Sequence, residues 1–200
     1  RQRQMCIRDR PSTWAEGMTS GEVMVVLRST WENPSSGLWR LGSSTANAHY
    51  PWSNRGLYDS FGQSGVGHQV MGLPRVPVTS WHTYGASAQA EGFSAYQNGQ
   101  LLYRSPGAIP VGFSTAARIG YSQNYGFYGD IAEVLIFERT LEVGERIQIA
   151  DYLWRRFNDP ISDLTAMPLG PDAMRLTWSP PALGEAWFGV ERRSSGEAWR

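Results

Sequence analysis

Apolar residues along this chain fall into short runs, separated by glycine, proline, serine and asparagine, and the spacing inside the runs follows first one period and then another. Residues 22–28, Glu-Val-Met-Val-Val-Leu-Arg, are rich in strand formers and are bounded by Ser20-Gly21 and by a 29–36 loop containing Pro34, which predicts a strand. Comparable runs lie at 37–42, 56–61, 81–88, 92–97, 101–104, 117–121 and 130–138. Strands of this length with turn residues between them predict an antiparallel all-β sandwich or barrel. The sharpest local signal is Asn98-Gly99, set between the apolar runs Phe93–Gln97 and Gln100–Tyr103, because this dipeptide supplies the positive φ angles of a two-residue hairpin turn. The period then changes. Over 142–157, Val143, Ile147, Ala150, Leu153, Trp154 and Phe157 recur at helical spacing, with Arg146, Gln148, Asp151, Arg155 and Arg156 between them. This predicts one helix docked through its apolar stripe, with Glu142–Arg146 and Asp151–Arg155 as solvated i, i+4 pairs. Asn158-Asp159-Pro160 ends it.

The 200 residues include 41% hydrophobic, 12% aromatic and 18% charged, with 22 glycines and 12 prolines, a composition of folded domains with many turns rather than of disorder or a coiled coil. Eighteen basic residues balance eighteen acidic ones, so no electrostatic footprint points to nucleic acid or to an anionic membrane surface. Every basic residue is arginine, which reads as the codon bias of a GC-rich bacterial genome and excludes lysine chemistry. No run approaches the roughly 18 apolar residues of a membrane span, and a signal peptide is not visible. Residues 1–10 contain Met5-Cys6-Ile7-Arg8-Asp9-Arg10, which resembles a translated sequencing-library adapter, so this segment is expected to be non-native. Cys6 is the single cysteine, leaving neither a disulfide framework nor a cysteine metal site.

The closing strand and helix, Tyr128-Gly-Asp-Ile-Ala-Glu-Val-Leu-Ile-Phe-Glu-Arg-Thr-Leu141 and Glu145-Arg-Ile-Gln-Ile-Ala-Asp-Tyr-Leu-Trp154, resemble those of laminin-G-like, concanavalin-A-like jelly-roll domains of bacterial secreted proteins. Residues 37–42, 57–62, 97–99 and 118–120 extend the likeness over 11–158. It implies a two-sheet jelly roll with one C-terminal helix, an extracellular or cell-surface setting, and a carbohydrate or an extracellular protein as ligand. After a linker at 159–162, period-two runs around Met174, Leu176 and Trp178 and around Phe188, Val190 and Arg192 resemble the opening of a fibronectin type III module. Its first strand is expected at 160–166, its second at 175–178 and its third at 189–192. Such a module needs about seven strands in ~100 residues, so 163–200 are expected to be part of one.

Because this fold class hosts lectins, spacers and glycosidases, function must be read from a site. A retaining glycosidase needs two carboxylates about 5 to 5.5 Å apart. Asp130 and Glu133 stand three apart, so on a regular strand they point to opposite faces. His49, His68 and His82 are isolated in sequence, with no metal-binding spacing. Calcium is the cofactor the resemblance brings into consideration, with Asn54, Asp59 and Asn124 as oxygen donors, but no Asp-x-Asp-x-Asp cluster gathers them. Aromatic content is more suggestive. Tyr50, Trp52, Asn54 and Arg55 share one loop beside His49, and Asn124 and Tyr125 share another beside Gln123. A sugar surface needs a flat aromatic face for the C–H side of the ring and amide or guanidinium donors for its hydroxyls. These six residues are the expected ligand-binding set, and no catalytic residue is assigned. Trp39, Trp81, Trp154 and Trp178 lie in periodic segments and are expected in the core. The expected function is a non-catalytic binding or adhesion module; a structural spacer for a catalytic domain elsewhere and a glycosidase remain the alternatives.

Overall fold

The structure, a computed structural model, describes residues 15, 17–42, 47–64, 67–113, 117–122, 124–158, 165–170 and 173–177. In chain order the elements are β1 (Gly21–Ser29), β2 (Gly37–Arg40), β3 (Ala48–His49), β4 (Leu57–Asp59), β5 (Gln69–Gly72), β6 (His82–Gln89), β7 (Gly92–Gln97), β8 (Gln100–Arg104), β9 (Arg118–Ile119), β10 (Tyr121–Ser122), β11 (Tyr125–Gly126), β12 (Gly129–Phe137), α1 (Val143–Asn158), β13 (Thr165–Gly170) and β14 (Ala173–Thr177). The chain divides into two compact units, Arg1–Asn158 and Asp159–Arg200.

In the first unit one sheet has the order β12-β1-β6-β7-β8 and the other β5-β4-β3-β2-β9, all neighbours antiparallel. Strand β1 lies between β12 and β6 and is covered on both sides, which is why its sequence is a continuous apolar run instead of an alternation. Val23, Val25 and Leu27 face the core between the sheets, with Leu38, Trp39, Leu57, Phe61, Tyr84 and Phe93. Met24 and Val26 face the other way, onto Leu141, Ala150 and Leu153 beneath α1. Strand β7, covered fully on one side, alternates as expected, with Phe93, Ala95 and Gln97 buried. The Asn98-Gly99 turn joins β7 to β8 with φ of 48° and 74°, as its sequence predicts.

Helix α1 forms where expected but docks through only part of the expected stripe, Ala150, Leu153 and Phe157. Val143, Ile147 and Trp154 are 68%, 57% and 47% exposed, while Ala150, Leu153 and Arg146 are buried. The reason is Glu22, fully buried at the start of β1. Its carboxylate accepts Arg146 Nε at 2.6 Å, Arg146 Nη2 at 2.8 Å and the Leu141 amide at 2.9 Å. Arg146 also donates to the Leu141 carbonyl at 2.7 Å and lies over the Tyr96 ring at 4.2 Å. This buried ion pair sets the rotation of the helix, so Arg146 is an anchor and not half of a solvated pair with Glu142. The other expected pair, Asp151–Arg155, forms at 2.9 Å on the surface. Trp39 is in the core as expected, Trp81 is only half-buried, and Trp154 is on the surface.

A bulge opposite Val26/Leu27 corrects a second expectation. Asp130 pairs with Arg28 and Glu133 with Val26, two positions apart on β1, so both carboxylates face the helix side of the sheet. Each is held by an arginine, Asp130 by Arg28 at 2.8 Å and Glu133 by Arg156 at 3.5 Å.

In the second unit β13 pairs antiparallel with β14, Thr165 opposite Thr177 and Met167 opposite Arg175. Of the expected first strand at 160–166, Thr165 and Ala166 lie in β13, and 160–164 lie outside the described residues. Residues 1–10 with Cys6, the 159–162 linker, Trp178, and Phe188, Val190 and Arg192 of the expected third strand lie outside the described residues, as does Gln123.

Candidate functional site

The outer face of the β5-β4-β3-β2-β9 sheet carries the aromatic loops. Strand register places Gly37, His49, Tyr58 and Val70 in one row across β2, β3, β4 and β5. Trp52 is held over this row by a tight loop: its amide donates to the Gly56 carbonyl at 2.9 Å, the Arg55 amide donates to the Trp52 carbonyl at 2.8 Å, and the Asn54 Oδ1 accepts the Gly56 amide at 2.9 Å. Arg55 takes φ of 64°, and the Asn54 side chain then donates to the Tyr58 hydroxyl at 2.6 Å. The β10–β11 hairpin lies across β2 at Gly37. A side chain there would run into the Tyr125 carbonyl and would meet the Ser122 amide at 2.7 Å, so glycine is what lets the hairpin settle.

These contacts bring together two loops that are distant in sequence. Trp52 meets Tyr125 edge to face with ring centroids 4.9 Å apart, and His49 lies behind both, 4.3 Å from Trp52 and 6.0 Å from Tyr125. Tyr125 is 38% exposed, Trp52 is half-buried, and Asn54, Arg55 and Asn124 are exposed around them. Arg55 approaches Glu32 at 3.9 Å in an exposed pair. Five of the six expected ligand-binding residues therefore lie on the surface in the two loops.

Tyr50 does not join them. It is 1% exposed and points inward, its hydroxyl 2.7 Å from His82 Nε2 and accepting Gln97 Nε2 at 2.6 Å. Burial raises its pKa, which keeps the phenol neutral in the core. The alternation of β3 and its flanks sends His49 outward and Tyr50 inward, so adjacency in sequence misassigned it. Nor does Asp59 serve a cation. It accepts Trp39 Nε1 at 3.2 Å, the Tyr84 hydroxyl at 2.8 Å and the Phe61 amide at 2.8 Å inside the core, and burial pushes its pKa up to about 7. Among the described residues no three His, Cys, Asp or Glu side chains cluster as metal ligands.

His49 and His68, isolated in sequence, meet with ring centroids 5.0 Å apart. Burial lowers the pKa of both, that of His49 to about 4, with His68 adding to the effect. Tyr58 stands 6.4 Å from His68, so the patch is also backed by a tyrosine–histidine contact that the sequence gives no means of finding. On the opposite side of the domain, Trp154 borders a separate groove of about 490 Å3 between α1 and the Asn98-Gly99 turn.

No protein-family model matches the chain, and no curated protein sequence matches it significantly. Solved structures do. A native heptameric pentraxin from Limulus polyphemus aligns with a TM-score of 0.50 at 11% identity, over 66% of this chain and 70% of that one. The CBM40 module of a Ruminococcus gnavus sialidase, solved with α2,3-sialyllactose, aligns with a TM-score of 0.52 at 15% identity over 66% and 83%. A botulinum neurotoxin type C chain aligns with a TM-score of 0.51 at 12% identity over 70% and 37%. These similarities fix the class of fold: an antiparallel two-sheet jelly-roll sandwich.

Proposed function

We propose that the first unit is a non-catalytic carbohydrate-binding module, and that Trp52 and Tyr125 form its sugar platform. The observation that carries this reading is the edge-to-face pair at 4.9 Å, backed by His49 and rimmed by Asn54, Arg55 and Asn124. Two rings fixed at right angles offer one face for the apolar side of a pyranose, and the rim supplies donors and acceptors for its hydroxyls. The fold lends support, since the Ruminococcus gnavus module was solved with a sialylated trisaccharide and cell entry of the neurotoxin depends on two ganglioside molecules. A secreted protein of several domains, with the laminin-G-like unit followed by the opening strands of a fibronectin type III module, is the setting in which we place it; the β13–β14 hairpin is consistent with such an opening.

The test is a glycan array with the full chain, followed by titration calorimetry on the best ligand with Trp52→Ala and Tyr125→Ala. Binding by the wild type, with at least a tenfold loss in each variant and melting temperatures within a few degrees, is the expected result. An array without signal favours the spacer, and a Trp52→Ala variant that binds as the wild type does removes this loop from the site.

A further inference from the structure

Beneath the sugar platform lie two ring nitrogens to which the described residues give no partner. His49 Nδ1 and His68 Nε2 are both buried and, among the described residues, without a hydrogen-bond partner. Orphaned buried polar atoms are few in folded proteins, and each calls for an explanation such as an ion or an ordered water. His49 itself is only 4% exposed. The Ser36 backbone lies close enough to the imidazole to oppose the effect of burial on it. A ring held by the backbone through one nitrogen leaves the other free to offer its lone pair. Metal-ligating histidines are oriented in this way.

The spacing agrees. Two imidazole nitrogens at about 2.0 to 2.1 Å from one tetrahedral ion set their ring centroids about 5 Å apart, and the two rings stand at 5.0 Å. Burial also keeps both imidazoles in the neutral form.

We infer that His49 and His68 form a two-histidine site for a borderline divalent transition ion of the Zn2+ or Ni2+ type, water completing its coordination. Paired imidazoles with no carboxylate suit such ions and not the hard, oxygen-seeking Ca2+ or Mg2+. With two protein ligands the site is open. The ion ties β3 to the segment that leads into β5, under Trp52 and Tyr58, and so stiffens the floor of the platform.

Titration calorimetry and thermal melts of the full chain with ZnCl2 and with NiCl2, against CaCl2 and MgCl2, test this. One transition ion per chain is expected, with a rise in Tm of about 4 °C at an ion concentration ten times Kd, and no effect of the hard ions. His68→Ala, folded by circular dichroism, loses both the heat and the shift; His68→Gln makes the same comparison if the alanine variant fails to fold. Cys6→Ser retains both, which separates the site from the one thiol in the sequence. No saturable heat in the wild type, binding retained without His68, or binding lost with Cys6→Ser overturns the inference. None of these outcomes bears on sugar binding by Trp52, which the glycan titrations read separately.

Discussion

Removing the Arg146 side chain tests whether the buried pair with Glu22 orients the helix. In Arg146→Ala the Glu22 carboxylate stays fully buried and loses the two charge-assisted bonds at 2.6 and 2.8 Å, keeping only the Leu141 amide at 2.9 Å. The Leu141 carbonyl loses its donor and the Tyr96 ring its cation. Leaving one member of a buried pair unpartnered costs about 3 to 5 kcal/mol. That is a large share of the 5 to 15 kcal/mol typical of a domain, and on a unit of this size it lowers Tm by on the order of 10 °C. Urea unfolding of the full chain, followed at 222 nm, is the assay, because α1 is the only helix among the described residues. Glu22→Leu combined with Arg146→Met removes both charges together. It should lose much less than the sum of the single variants, since two apolar side chains leave no buried charge behind and the main residual losses are the Leu141 amide and carbonyl, about 1 to 3 kcal/mol each. A single-variant loss under 1 kcal/mol, or strict additivity in the cycle, would falsify the idea that this pair sets the helix.

Other outcomes follow from the same structure. Trp154→Ala should shift the urea midpoint by less than about 1 kcal/mol in free energy, because the ring is 47% exposed and not part of the packed stripe; a loss of 3 kcal/mol or more would restore the docking read from periodicity. Asp59→Asn should gain on the wild type as pH rises from about 4 to above 7. The folded pKa of Asp59 is raised from 3.8 to about 7, so the stability present below 3.8 is lost as pH rises through 7, on the order of 4 kcal/mol in all. The amide retains the bonds: its oxygen accepts Trp39 Nε1 and the Phe61 amide, and its nitrogen donates to the Tyr84 hydroxyl, whose proton turns to Met71 Sδ at 3.5 Å. A stability difference that does not change with pH in parallel denaturations would show that Asp59 does not titrate in this range. Gly37→Ala should displace the β10–β11 hairpin, lowering both Tm and glycan affinity, because its Cβ meets backbone that cannot swing aside; unchanged melts and titrations would show that the hairpin does not rest on that glycine.

What the sequence determined by itself is what short-range chemistry dictates. Asn98-Gly99 makes its hairpin because the turn needs positive φ at both positions, and residues 22–28 make a strand because the run is short, rich in strand formers and bounded by turn residues. The helix begins and ends close to where its residues say it should. Which face of that helix turns inward was decided by Glu22, 124 positions from Arg146 along the chain, and no periodicity window reaches so far. The bulge that puts Asp130 and Glu133 on one face arises from the pairing of β12 with β1, not from β12 alone. The platform shows the same division. Its residue types were legible as loop aromatics and amides, but only the register of β2, β3 and β4 separates outward His49 from inward Tyr50, and only the fold brings Trp52 to Tyr125 and His49 to His68. Local sequence fixes backbone conformation through dihedral preference and hydrogen bonding within a few residues. Burial and the meeting of distant side chains are set by how the sheets pack, which depends on the whole chain at once.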